Sequence, residues 1–247
     1  MRETFSRIED DQEVNIEVFL DAKEYQESNP WLFSVFIKYD AYNEAEDGLD
    51  EFFETKESLI IALEHKDRAT YVGNRLVGEW SEIYFYAEDS KQLDMITAKI
   101  LKSTNYIYES NVARDKDWEF FTYNIFPTDL ELSFMQSAKI ISMMEEEGDD
   151  ISIPREVEHY ASFDTRTQKE RFVQKAQEVG FVFKDDISSE DFDYGVALTK
   201  EHNLTKEEVQ KVITSFVELI KEDHGEYELW SALLQDDNEI TTKELNI

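Results

Sequence analysis

In Trp31-Leu32-Phe33-Ser34-Val35-Phe36-Ile37-Lys38-Tyr39 the residues Trp31, Phe33, Val35, Ile37 and Tyr39 stand at alternate positions. A period of two puts them on one face of a β-strand. Working outward, the acidic, glycine-containing stretch Glu44-Ala45-Glu46-Asp47-Gly48 reads as a loop, and Phe52, Leu59, Ile60 and Leu63 then recur at helical spacing. Residues 70–77 and 82–87 read as strands, with Gly73-Asn74 and Gly78 as breakers. Ser90 is a candidate N-cap for a helix with Leu93, Ile96 and Ile100 on one face. Residues 106–108 and 118–126 read as a closing strand or hairpin that ends at Pro127. The order from Trp31 is strand, helix, strand, strand, helix, strand.

The second half opens on an amphipathic helix whose stripe is Phe134, Ala138, Ile141 and Met144, and the same order then returns. A strand over 157–163 is followed by a helix with Phe172, Val173, Ala176 and Val179, stopped at Gly180. Strands at 181–183 and 195–198 precede a helix carrying Val209, Val212, Ile213, Phe216 and Ile220, and a last strand covers 227–234. Thr167-x-x-Glu170 and Thr205-x-x-Glu208 have the spacing of reciprocal capping boxes at the two helix starts. A βαββαβ order is the sequence form of a ferredoxin-like fold. The expectation is α+β: two tandem ferredoxin-like modules with antiparallel sheets, residues 1–130 and 131–247. Their residues do not repeat.

Of the 247 residues 41% are hydrophobic, enough for two filled cores despite a mean hydropathy of -0.57. The formal charge is -32. Residues 1–130 carry 13 basic and 29 acidic side chains and residues 131–247 carry 12 and 28, so each half holds half of the excess. Such a field repels phosphates and anionic membranes and attracts basic protein segments. With no cysteine there is no disulfide, thiolate metal site or cysteine nucleophile. The N-terminal residues lack the apolar core of a signal peptide, and no apolar run reaches the ~20 residues of a membrane helix, so the expected compartment is the cytoplasm.

Few residues suggest chemistry. His65, His159, His202 and His224 are dispersed, with His202 and His224 at element ends and His159 inside a predicted strand as a satisfied, semi-buried ring. Seven glycines form no phosphate loop and no nucleophile elbow. The carboxylate groups Glu145-Glu146-Glu147-Gly148-Asp149-Asp150, and Asp185-Asp186 with Glu190-Asp191, lack the alternate-oxygen pattern of a calcium loop and read as solvated or partner-facing. Trp118, beside Asp117, and Trp230, after Tyr227 and Glu228, fall in predicted last strands. Each is either sheet core or an interface anchor. No catalytic, cofactor or metal residue is expected.

The second half resembles RraB, the bacterial protein inhibitor of ribonuclease E activity. The residues that carry the resemblance are Glu146-Glu147-Gly148-Asp149-Asp150, Val157-Glu158-His159, Phe172, Ala176, Gly180-Phe181-Val182 and Glu226-Tyr227-Glu228-Leu229-Trp230. Leu229 stands where the family commonly has glycine, and the family's acidic tail is reduced to Asp236-Asp237-Asn238-Glu239. The first half resembles an uncharacterised bacterial domain often found ahead of RraB-like modules, through Asp47-Gly48-Leu49, Tyr71-Val72-Gly73, Arg75, Tyr84-Phe85-Tyr86 and Asp115-x-Asp117-Trp118-x-x-Phe121. The resemblance implies a non-catalytic regulator that binds the nuclease away from its catalytic centre. Glu145, Glu146, Glu147, Asp149, Asp150, Tyr227, Glu228, Trp230, Asp117 and Trp118 are the candidate contacts for a basic protein segment. The rivals are a metal-dependent hydrolase or transferase using Asp117 and Glu119, and a nucleic-acid mimic that fills basic grooves.

Overall fold

A computed structural model describes residues 1–38 and 46–235, which divide into two compact units, Met1–Pro127 and Thr128–Ile247. Tyr39, Glu44, Ala45 and the acidic residues 236–239 lie outside the described residues. No helix among the described residues is long and apolar enough to cross a membrane.

The first unit runs β1 (Arg2–Glu9), β2 (Gln12–Phe19), β3 (Trp31–Lys38), α1 (Glu46–Glu64), β4 (Thr70–Val77), β5 (Trp80–Ala87), α2 (Leu93–Leu101) and β6 (Ile107–Arg114). Its antiparallel sheet has the order β1-β2-β4-β5-β3-β6. From β3 onward this is the expected βαββαβ arrangement. β1 and β2 are a hairpin added to the β4 edge, turning at Asp10 and Asp11 with positive φ (48° and 62°), as a two-residue hairpin turn requires. Gly73 makes the addition possible: a Cβ there would lie 2.6 Å from the Glu17 carbonyl oxygen and 2.6 Å from Ile125 Cγ2.

Both faces of this sheet are covered. On one, Phe33, Val35, Ile37 and Phe85 pack with Phe52, Leu59 and Leu63 of α1 and Leu93 and Leu101 of α2. On the other, Val14, Ile16, Val18, Tyr84 and Tyr86 pack with Trp118, Phe121 and Ile125. Residues 118–126 are therefore no strand. They close into a helical turn with a π-type segment at Phe121–Ile125, because the Asp115 carboxylate accepts from the backbone N–H of Glu119 and Phe120, both at 3.0 Å. Two smaller expectations also change. Glu46, Asp47 and Gly48 open α1 instead of lying in a loop, and α2 is capped at Gln92, not Ser90.

The second unit runs α3 (Asp129–Glu146), β7 (Arg155–Phe163), α4 (Arg166–Glu178), β8 (Val182–Ile187), β9 (Tyr194–His202), α5 (Lys206–Glu222) and β10 (Glu226–Ala232). Its antiparallel sheet has the order β10-β7-β9-β8, the same arrangement without an added hairpin. Ala161, Phe163, Val196 and Leu198 meet Phe172 and Ala176 of α4 and Val212, Phe216 and Ile220 of α5. Ile141 and Met144 of α3 join Val209, Ile213 and Trp230. On α3 the buried position is Ser137 and not Ala138, since the Ser137 hydroxyl accepts from Trp230 Nε1 at 2.9 Å.

Of the two predicted caps, one is displaced and the other keeps its place without its bond. The complete capping box is Thr128 with Glu131 at the start of α3. α4 is capped by Thr165, whose hydroxyl accepts from the Gln168 N–H, so Thr167 lies inside the helix. Thr205 does cap α5 by position, but its hydroxyl donates to Asn203 Oδ1 and makes no bond to the helix.

Candidate partner-binding site

At one end of the second sheet, three connections converge on a cleft of about 390 Å³. β7 brings Ser162 and Phe163 and is followed by Asp164. The β8–β9 loop brings Glu190, Asp191, Phe192 and Asp193 and leads into Tyr194. The turn from α5 into β10 brings His224, Gly225 and Glu226. Two glycines set its walls. A Cβ on Gly225 would sit 2.3 Å from the Phe163 ring, and one on Gly195 would sit 2.5 Å from the Phe192 ring. Only a missing side chain lets either ring seat against the backbone.

The cleft faces solvent with five carboxylates, Asp164, Glu190, Asp191, Asp193 and Glu226, all exposed, and with the rings of Phe192 and Tyr194, while Phe163 lies buried beneath it. No lysine or arginine lines it. Of the cations on α4, Arg166 pairs with Glu170 at 3.1 Å, Arg171 and Lys175 both reach Asp223 at 2.9 Å, and Lys169 reaches Asp186 at 2.7 Å. Carboxylates beside aromatic faces suit an ammonium or guanidinium group, which is attracted to both. A single exposed ion pair is worth little, so any strength comes from several carboxylates acting together in a concave site.

The structure scatters the contacts expected from sequence. Trp118 and Trp230 are 0% and 2% exposed, so neither can anchor a partner. Trp118 stacks on Tyr86 at 3.9 Å and donates to the Asn29 carbonyl at 2.8 Å. Asp149 is a core residue too: its carboxylate receives Arg155 at 2.6 Å, and Arg155 also donates to the carbonyls of Asp150 and Leu233. Tyr227 packs against the core around Phe216 and lies 3.4 Å from His159 Nδ1. Glu228 accepts from the Ser162 hydroxyl on the opposite face of the sheet, at a bulge between Tyr227 and Leu229. Asp150 holds the turn at Ser152. Glu145, Glu146, Glu147 and Asp117 are exposed, as solvated or partner-facing carboxylates should be.

Asp117 and Glu119 are both exposed, and the described residues contain no group of three histidine, cysteine, aspartate or glutamate side chains placed to hold a metal. His159 is fully buried, and His202, at the end of β9, is buried against it.

Sequence reasoning missed Asp164, Asp193 and Glu226 and the ring walls. With 57 acidic residues in the chain, no three carboxylates stand out. The better signal was Gly195 and Gly225, two of only seven glycines, each at the start of a strand.

Comparison with known proteins agrees with the two-part reading. Residues 135–232 match the family described as Regulator of ribonuclease activity B, and residues 3–125 match a family of unknown function, DUF695. The chain thus carries a DUF695 domain followed by an RraB-like domain. No protein of curated function matches it. Among solved structures, the crystal structure of an unknown protein from Galdieria sulphuraria is 9% identical over 81% of this chain and 96% of that one, with a TM-score of 0.22. That score is too low to bear on the fold.

Proposed function

With an RraB-like domain in the second unit as premise, we propose that the chain is a non-catalytic cytoplasmic regulator that binds a basic segment of a ribonuclease. The cleft between β7, β9 and β10 is where a lysine or arginine of that segment enters, and the two units are its two domains. The observation that carries this reading is the cleft itself: five exposed carboxylates beside the rings of Phe192 and Tyr194 with no lysine or arginine among them, lying within the matched residues 135–232. Glu145, Glu146, Glu147 and Asp117 add to the long-range field without forming the contact.

Binding of this kind is fast at low salt and slows as exposed charges are screened. The test is association of the full chain with a basic segment of its host's ribonuclease, between low and physiological ionic strength. The double variant Asp191→Lys with Asp193→Lys should slow association about tenfold and relieve inhibition of the nuclease, as like-charge contacts suppress encounter. An unchanged rate, or a rate indifferent to salt, would rule the cleft out. Equal binding to an unrelated basic protein would favour a general nucleic-acid mimic instead.

A further inference from the structure

The core of the second unit holds a chain of titratable side chains with a single consistent set of protons. His159 on β7 and His202 on β9 are 0% and 6% exposed, and their Nε2 atoms lie 3.1 Å apart. His202 Nδ1 is 2.7 Å from the carbonyl oxygen of Asn203. A carbonyl only accepts, so His202 carries its proton on Nδ1 and its neutral Nε2 is an acceptor. His159 Nε2 must therefore donate to it. That leaves His159 Nδ1 to accept from the Tyr227 hydroxyl of β10, at 3.4 Å.

A proton added to His202 Nε2 would meet the His159 Nε2–H at this 3.1 Å contact, so His159 would have to move its own proton to Nδ1 and reverse its bond with the Tyr227 hydroxyl. One added to His159 would place a charge among Phe181, Phe216 and Tyr227, whose ring centroids lie 5.7, 5.4 and 6.4 Å away. The other charged groups facing the pair are few. Lys200 of β9 lies over the Phe181 ring and opposes protonation of both histidines, while Glu208 of α5 favours a charge on His202. Burial, the largest influence on each, holds His202 below the ordinary histidine value and pushes His159 down to about 3.

We propose that Tyr227, His159 and His202 form an acid-operated latch, through which protonation opens the second unit while the first stays folded. The first unit contains one histidine, His65, and it is exposed. The latch ties β7, β9 and β10, the three strands that supply Phe163, Tyr194 and Glu226 to the cleft. Acid would thus dismantle the cleft, whatever it binds.

The sign follows from linkage. Above the ordinary histidine pKa, ~6.5, both rings are neutral folded or unfolded. Below it the unfolded chain takes up protons more readily than the folded one, so stability is held at neutral pH and lost as pH falls toward the folded values.

Two measurements on the intact chain test the latch. Nitrogen-15 spectra of the imidazoles at neutral pH should show the proton on Nε2 of His159 and on Nδ1 of His202. Hydrogen exchange should then show the opening equilibrium of slow amides in β7, β9 and β10 rising by more than about tenfold from pH 7.5 to 5.5, about tenfold from His159 and the excess from His202. Slow amides in β3 and β5 should not change in the same way. In His202→Gln the rise should drop to about tenfold, one proton being lost. The wild-type arms decide the matter even if that variant does not fold. Opposite tautomers, an equal rise in both units, or either ring titrating near pH 6.5 with the strands still protected would overturn the proposal.

Discussion

The two units share one strand arrangement and bury it differently. The first sheet is covered on both faces, by α1 and α2 on one and by the segment around Trp118, Phe121 and Ile125 on the other. The second places its helices on one face and leaves the other polar, with Tyr160 bonded to Glu158 and Ser231, Ser162 to Glu228, and Lys184 to Glu158. Their buried polar groups differ as well. The first unit buries tyrosines against carboxylates, Tyr71 on Glu17 and Tyr86 on Asp115, both at 2.5 Å, and burial with those partners holds the phenols well above their ordinary range. The second buries an imidazole pair. A shared topology therefore leaves open which face is free for a partner and which pH unfolds a unit. Those are set by a few side chains that the sheet order does not specify.

The two buried tryptophans give the largest expected effects and keep the units apart. Trp118→Ala removes the stack on Tyr86 and the bond to the Asn29 carbonyl, and should cost the first unit about 3–5 kcal/mol. Trp230→Ala should cost the second unit a similar amount, also about 3–5 kcal/mol. Urea unfolding followed by unit-resolved hydrogen exchange should find each loss confined to its own unit. A Trp230→Ala protein with unchanged stability would contradict its place in the core of the second unit.

The acid response is next in size. A folded-state pKa of about 3 for His159 implies a loss approaching ~4–5 kcal/mol in the second unit once the pH has fallen from 6.5 to that value, at ~1.36 kcal/mol per pH unit. Smaller still is the cap on α3. Thr128→Ala deletes the hydroxyl that serves the Glu131 N–H and should cost about 1 kcal/mol, read as a lower urea midpoint for the second unit with the first unchanged.

How much of this was legible depended on the range of the interactions. The βαββαβ order could be read because apolar period is local, and β3, β7 and α5 carry it plainly. The β1–β2 hairpin was missed because β1 is largely charged and polar, Arg2-Glu3-Thr4-Phe5-Ser6-Arg7-Ile8-Glu9, although Val14, Ile16 and Val18 alternate clearly on its partner. Residues 118–126 looked like a strand because they are aromatic. The carboxylate of Asp115 decides otherwise. The cleft and the imidazole pair were invisible for a single reason. Each is assembled across strand registers, His159 from His202 at a separation of 43 residues and the cleft from three separate connections. A scan along the chain has no term for that.

On this reading the acidic cleft of the second unit receives a basic side chain. The most direct test is a nitrogen-15 chemical-shift titration of the full chain with a basic segment of its host's ribonuclease at low salt. The shifts should concentrate at Asp164, at residues 190–195 and at 224–226, and need about tenfold more of the segment in the Asp191→Lys, Asp193→Lys variant. Shifts spread evenly over the acidic surface, or confined to the first unit, would contradict it.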